Sequence, residues 1–215
     1  MKICTLAFGD DFLEKAQTLA DSLPLSINIC KSLPDCANLF YKNKAGFKIF
    51  NTNCKRFAIK ENYHEQGTLC IDSDCVCESN EEFIDCCNKL KELGPGIYSP
   101  YVFSAYGFRH PKVTDKIIDR EKLTYNLKFF DPIIRLSDNQ LLNFYMPWEW
   151  FYFFKFKDEN QKNVFFDMWD YLDEYAINNN NYHLRAECNL IGISALNCGL
   201  EVKQIKMKFG VNHKK

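Results

Sequence analysis

The apolar run Thr68-Leu69-Cys70-Ile71 ends in Asp72-Ser73-Asp74-Cys75, so two aspartates one residue apart close a strand-like segment. Side chains alternate between faces along a strand, which would put Asp72 and Asp74 on the same side, roughly 6.6 Å apart along the chain. Aspartates are rarely buried without a partner, and a pair closing an apolar strand calls for one. The economical partner is a divalent cation with oxygen ligands, Mg²⁺ or Mn²⁺, shared with a substrate phosphate. The plainer alternative is two polar residues at a strand end, with Asp72 capping the turn. The tripeptide alone does not separate the two.

A buried strand needs neighbours, and the flanking sequence supplies them. Residues 2–8 are β-branched and apolar and predict a first strand. Gly9-Asp10-Asp11 gives a turn and helix N-cap, after which Phe12, Leu13, Ala16, Leu19, Ala20 and Leu23 recur at helical spacing up to Pro24. Strand, glycine turn and helix form half of a nucleotide-binding βαβ unit, whose backbone amides can meet a base or phosphate. Simple packing of a strand on a helix is the alternative. Residues 26–30 read as a second strand and 46–50 as a short third strand or lid-like loop. A helix is predicted over 53–65, where Lys55, Arg56 and Lys60 are candidates to neutralise a diphosphate; a solvated helix face is the commoner use of such residues. Ser79 or Asn80 caps a helix over 81–93, broken by Gly94-Pro95-Gly96.

Residues 97–106 predict another strand, and 107–135 are polar without a clear period. Residues 143–156 are unusually aromatic. Strand alternation would turn Trp148, Trp150 and Tyr152 toward a cleft and Phe151 and Phe153 into the core. Aromatic platforms beside the Glu149 carboxylate suit sugar rings; core filling is the better account of most of these rings, with Trp148 and Trp150 as the exceptions. A helix follows over 158–178, and a final helix over 185–198 ends at Gly199. Residues 200–206 predict a last strand, ahead of a tail holding His213, Lys214 and Lys215. No repeat or linker divides the chain. The expectation is one α/β domain over 1–215, with a mixed, mostly parallel central sheet flanked by helices. Its nucleotide-binding half would be 1–95 and its acceptor half 96–215.

Composition narrows the function classes. A net charge of -1 and 47% hydrophobic residues leave room for a core but give no broad basic field of the kind nucleic-acid binders use. Eleven cysteines without any C-x-x-C, several of them in apolar runs, point to reduced buried thiols rather than disulfides or structural zinc. With no secretory leader pattern at the start and no apolar run of bilayer-spanning length, a soluble cytoplasmic chain is expected.

With a strand, glycine turn and helix at the start and Ile71-Asp72-Ser73-Asp74 closing a later strand, the chain resembles the small GT-A-fold glycosyltransferases. The likeness is firmest over 1–95 and recurs from Phe154-Lys155 to Gly199. It implies metal-dependent transfer of a sugar from a nucleotide-sugar donor, a UDP-sugar foremost, to a hydroxyl of a glycan, protein or lipid. It implies that Asp74 contacts Mn²⁺ or Mg²⁺, that Asp72 meets the metal or the donor ribose, and that Ser73 sits beside the donor between them. The Ala7-Phe8-Gly9 turn would lie against the base, His213 on the metal, and Lys214 or Lys215 on the diphosphate. A leaving diphosphate builds negative charge, which a cation and lysines stabilise. Glu187, at the start of the last helix, is the candidate base for the acceptor hydroxyl, or an acceptor-binding carboxylate; a favourable first-turn charge is the alternative. One rival is a haloacid-dehalogenase-type phosphatase or phosphotransferase, in which the Asp-x-Asp closes the first strand and is followed by glycine and threonine. Here it follows a strand, helix and strand, and Cys75-Val76 comes next. The other rival is a non-catalytic carbohydrate- or nucleotide-binding module whose aspartates serve structure.

Overall fold

A computed structural model describes residues 1–35, 37, 39–42, 46–104, 145–147, 150–179 and 187–213. The chain runs β1 (Lys2–Leu6), α1 (Asp10–Ser22), β2 (Asn28–Cys30), β3 (Phe40–Lys42), β4 (Lys48–Phe50), a 3-10 turn (Thr52–Cys54) and α2 (Lys55–Glu61). Then come β5 (Thr68–Ile71), β6 (Cys75–Cys77), α3 (Asn80–Glu92), β7 (Gly96–Ser99) and β8 (Val102–Ser104). The last elements are β9 (Tyr145–Pro147), β10 (Phe151–Lys155), α4 (Glu159–Asn178), α5 (Glu187–Asn197), β11 (Val202–Gln204) and β12 (Val211–His213).

The central sheet has six strands in the order β11-β7-β10-β5-β1-β2. β1 is parallel to both β2 and β5, β11 is parallel to β7, and β10 alone runs against its neighbours β5 and β7. The expected mixed, mostly parallel sheet flanked by helices is what the chain forms. Strands from both halves of the chain share this sheet, so the boundary near residue 95 separates regions and not folding units.

Helices cover both faces. Leu19 of α1 and Phe83, Cys86, Cys87 and Leu90 of α3 pack with Ile3, Leu69, Ile71, Phe151 and Phe153. On the other face, Phe165, Trp169 and Leu172 of α4 and Leu190 and Ile191 of α5 pack with Cys4, Cys70, Tyr152 and Phe154. Tyr152 therefore enters the core with its neighbours Phe151, Phe153 and Phe154, as core filling has it. β10 is an interior strand covered on both sides, where alternation separates two buried faces and not a wet face from a dry one.

Other departures have local causes. Pro100 divides the predicted strand over 97–106 into β7 and β8, because proline cannot donate to the ladder. The helix predicted from residue 53 begins as a 3-10 turn that widens into α2 and stops at Asn62. Ser79 caps α3 by accepting the Glu82 amide. Residues 46–50 contribute to a hairpin, β3–β4, outside the main sheet. Among the described residues the cysteines are free thiols, most of them buried, and no helix is long and apolar enough to cross a membrane.

Candidate metal and nucleotide site

β1 has a parallel neighbour on each side, β2 reached through α1 and β5 reached later. The C-terminal ends of β1 and β5 therefore flank the point where the strand order reverses, and open α/β sheets bind ligands in that crevice. Phe8 follows one end and Asp72 the other. Gly9, at φ +82°, makes the turn into α1 in a backbone conformation that other residues rarely adopt.

The aspartate pair is not extended strand. β5 stops at Ile71, the Asp72 amide donates to the Trp150 carbonyl (3.0 Å), and the Cys75 amide donates back to the Asp72 carbonyl (3.1 Å). This turn replaces the expected extended spacing and starts β6. β12 pairs antiparallel with β6, setting His213 opposite Cys75. The imidazole Nε2 then stands 3.2 Å from Asp74 Oδ1. Ligand atoms of Asp72, Asp74 and His213 lie within 4.8 Å of one another.

Adjacent ligands on an octahedral ion with bonds of about 2.1 Å are about 3 Å apart, so these three side chains fit a small divalent cation with modest adjustment. Carboxylates suit Mg²⁺ and Mn²⁺ alike, and the imidazole favours Mn²⁺ of the two.

Lys55, the first residue of α2, reaches Asp72 Oδ1 at 2.5 Å and Glu187 Oε2 at 3.2 Å. Burial alone would lower its pKa, but the two carboxylates outweigh that and raise it well above the ordinary lysine value. The ammonium is thus charged and fixed at neutral pH. Glu187, expected at the acceptor, is almost fully buried and belongs to this internal ion triad.

A cavity of about 160 Å³ is lined by Leu6, Phe8, Phe12, Phe50, Thr52, Lys55, Asp72, Ser73 and Asp74. Phe12 and Phe50 stand near-parallel in its wall, ring centres 6.3 Å apart, and the two aspartates and Lys55 line the same cavity. A second cavity of about 550 Å³ adjoins Ser73 and Asp74 from the side of α1. Of the expected nucleotide contacts, Phe8, Lys55, Asp72 and Ser73 line the smaller cavity, while Ala7 is buried with its amide on the Cys30 carbonyl.

Arg56 and Lys60 turn the other way. Arg56 bonds Asp173 (2.9 Å) and Asp170 (2.5 Å) of α4, and Lys60 pairs with Asp170 at 3.8 Å. Trp150 packs edge-on against Phe151 and Phe209 and supports Asp72 through its carbonyl, which is not the platform expected of it. Trp148, Glu149, Lys214 and Lys215 lie outside the described residues. Sequence reasoning missed Phe12, Phe50 and Thr52 as cavity wall. Phe12 reads as one more apolar position of α1, and only its place directly after the glycine turn hints otherwise.

Comparison with protein-family models, with curated proteins and with solved structures gives no match to this chain. Function is therefore argued from the geometry and chemistry of the site.

Proposed function

We propose that this protein is a metal-dependent glycosyltransferase that moves a sugar from a nucleotide-sugar donor, a UDP-sugar foremost, to an acceptor hydroxyl. The observation that carries the reading is the convergence of Asp72, Asp74 and His213 beside a cavity lined by both aromatic rings and charged groups. A nucleoside diphosphate has the matching chemistry, a flat base and clustered negative charge.

Asp72, Asp74 and His213 would hold Mn²⁺ or Mg²⁺, and the bound ion would supply Lewis-acid stabilisation of charge on the leaving diphosphate. Phe8, Phe12 and Phe50 receive the base. Lys55 fixes the Asp72 carboxylate and adds positive charge to the cavity wall. Glu187 holds Lys55 in place; its burial favours that role over proton abstraction from an acceptor.

One observation favours the binding-module alternative: the acidic charges already have partners within the chain, Asp72 in Lys55 and Asp74 in His213. Turnover separates the readings. With Mn²⁺, slow release of UDP from at least one UDP-sugar is expected, along with a fall of about a hundredfold or more in Asp74→Asn. Hydrolysis of a simple phosphate ester with no UDP release would instead support a phosphatase. Absence of both activities would leave the module.

A further inference from the structure

The hairpin β3–β4 stands outside the main sheet, with Phe50 in the cavity wall and Phe40, Lys42 and Lys48 beyond it. Its register sets Phe40 opposite Phe50 and Lys42 opposite Lys48. Alternate residues share a strand face, so an aromatic pair and a lysine pair lie along one side. Like charges directly opposite one another repel.

The surroundings extend the same chemistry. Lys48 sits over the Phe40 ring at 4.1 Å, and Lys15 of α1 over the Phe12 ring at 5.2 Å. Large apolar side chains are exposed here too: Phe12 by 44%, Phe40 by 45% and Phe47, just before β4, by 69%. Rings and ammonium groups thus crowd one corner of a chain whose net charge is only -1. That corner borders the cavity, because Phe12 and Phe50 belong to its wall.

We propose that this hairpin docks the protein on an anionic lipid surface, with Phe47 and Phe40 entering the headgroup layer and Lys42, Lys48 and Lys15 meeting lipid phosphates. Aromatic rings favour the boundary between water and acyl chains, and lysine stems lie along apolar surface while their heads stay among the phosphates. Lipid anions between Lys42 and Lys48 would turn a repulsive pair into a shared contact. A single-stranded nucleic acid also takes rings and lysines, but it needs a basic groove tracking successive phosphates, and these cations sit at one corner. Docking would set the cavity mouth against the bilayer, and it stands or falls independently of sugar transfer.

Co-sedimentation with vesicles of phosphatidylcholine, alone or with about one-third phosphatidylglycerol, tests the proposal. Binding to the mixed vesicles and not to the neutral ones is expected. Each lysine near an anionic surface is worth about fivefold in partitioning, so Lys42→Glu/Lys48→Glu should weaken binding by about twentyfold or more. Phe47→Ser should weaken it by about tenfold, and both variants should keep the wild-type unfolding midpoint. The proposal is overturned by binding to neither vesicle, by equal binding to both, or by mixed-vesicle binding that the lysine variant leaves unchanged. Displacement from the vesicles by a single-stranded oligonucleotide that binds the same lysines more tightly would also overturn it, in favour of a nucleic-acid surface.

Discussion

With Lys55 removed, Asp72 and Glu187 would lose the buried ammonium that both of them pair with. Breaking a buried ionic cluster by taking one partner typically costs about 3–5 kcal/mol, and Lys55→Met is expected to lose about that much at pH 7 in urea unfolding. The pH dependence has a definite sign. In the wild type the raised lysine pKa contributes stability that is complete below the ordinary value of 10.5 and fades only as pH climbs through the raised one. Lys55→Met loses that contribution, so its deficit should persist across neutral pH and narrow only above pH 10.5. Unchanged stability at pH 7 would mean that Lys55 does not hold the two carboxylates. The aspartates were readable as a pair because they end an apolar run within one segment. Lys55 as their internal partner was not, since nothing in residues 53–65 marks one lysine as turned inward and its neighbours Arg56 and Lys60 as turned toward α4.

At the scale of the element, β12 decides whether His213 reaches the site. Three residues are too few to show an alternating pattern, and the partner strand β6 lies more than a hundred positions earlier. The pairing was therefore invisible in the sequence. What anchors it is Gly210, at φ +64°, whose carbonyl accepts the amides of Glu78 (2.8 Å) and Ser79 (3.1 Å). A Cβ there would stand 2.4 Å from the Ser79 carbonyl oxygen and 2.5 Å from the Phe83 amide nitrogen, both backbone atoms that cannot swing away. Gly210→Ala should therefore dislodge β12 and weaken Mn²⁺ binding as His213→Ala does, by about tenfold or more, although residue 210 touches no metal. Unchanged Mn²⁺ affinity in calorimetry would show that β12 has no part in the site. The long helices were legible for the opposite reason. α3 and α4 are long enough for a 3.6-residue period to show, and each begins at a side-chain cap, Ser79 and Asp158. Along interior β10, burial on both faces erases the alternation that would tell a cleft-facing ring from a core one, so sequence reasoning singles out Trp150 although it packs against Phe151 and Phe209.

For the whole molecule, the sheet ties the two halves of the chain together. β10 from the second half lies between β5 and β7, and Arg56 of α2 is bonded to Asp170 and Asp173 of α4. The halves should unfold together: loss of buried-Trp169 fluorescence and loss of far-ultraviolet dichroism should coincide in urea. Two separated transitions would mean that the second half of the chain folds on its own. The α/β class was legible from the order of strand and helix patterns, whereas the reversal at β1 and β5, which places the crevice, depends on pairings that only the structure supplies. The claim that Asp72, Asp74 and His213 hold a cation bridging to a diphosphate is tested most directly by titrating UDP into the protein with and without Mn²⁺. Tight binding only with Mn²⁺, and loss of that dependence in Asp74→Asn, is the predicted result. Equal UDP affinity with and without the metal would contradict it.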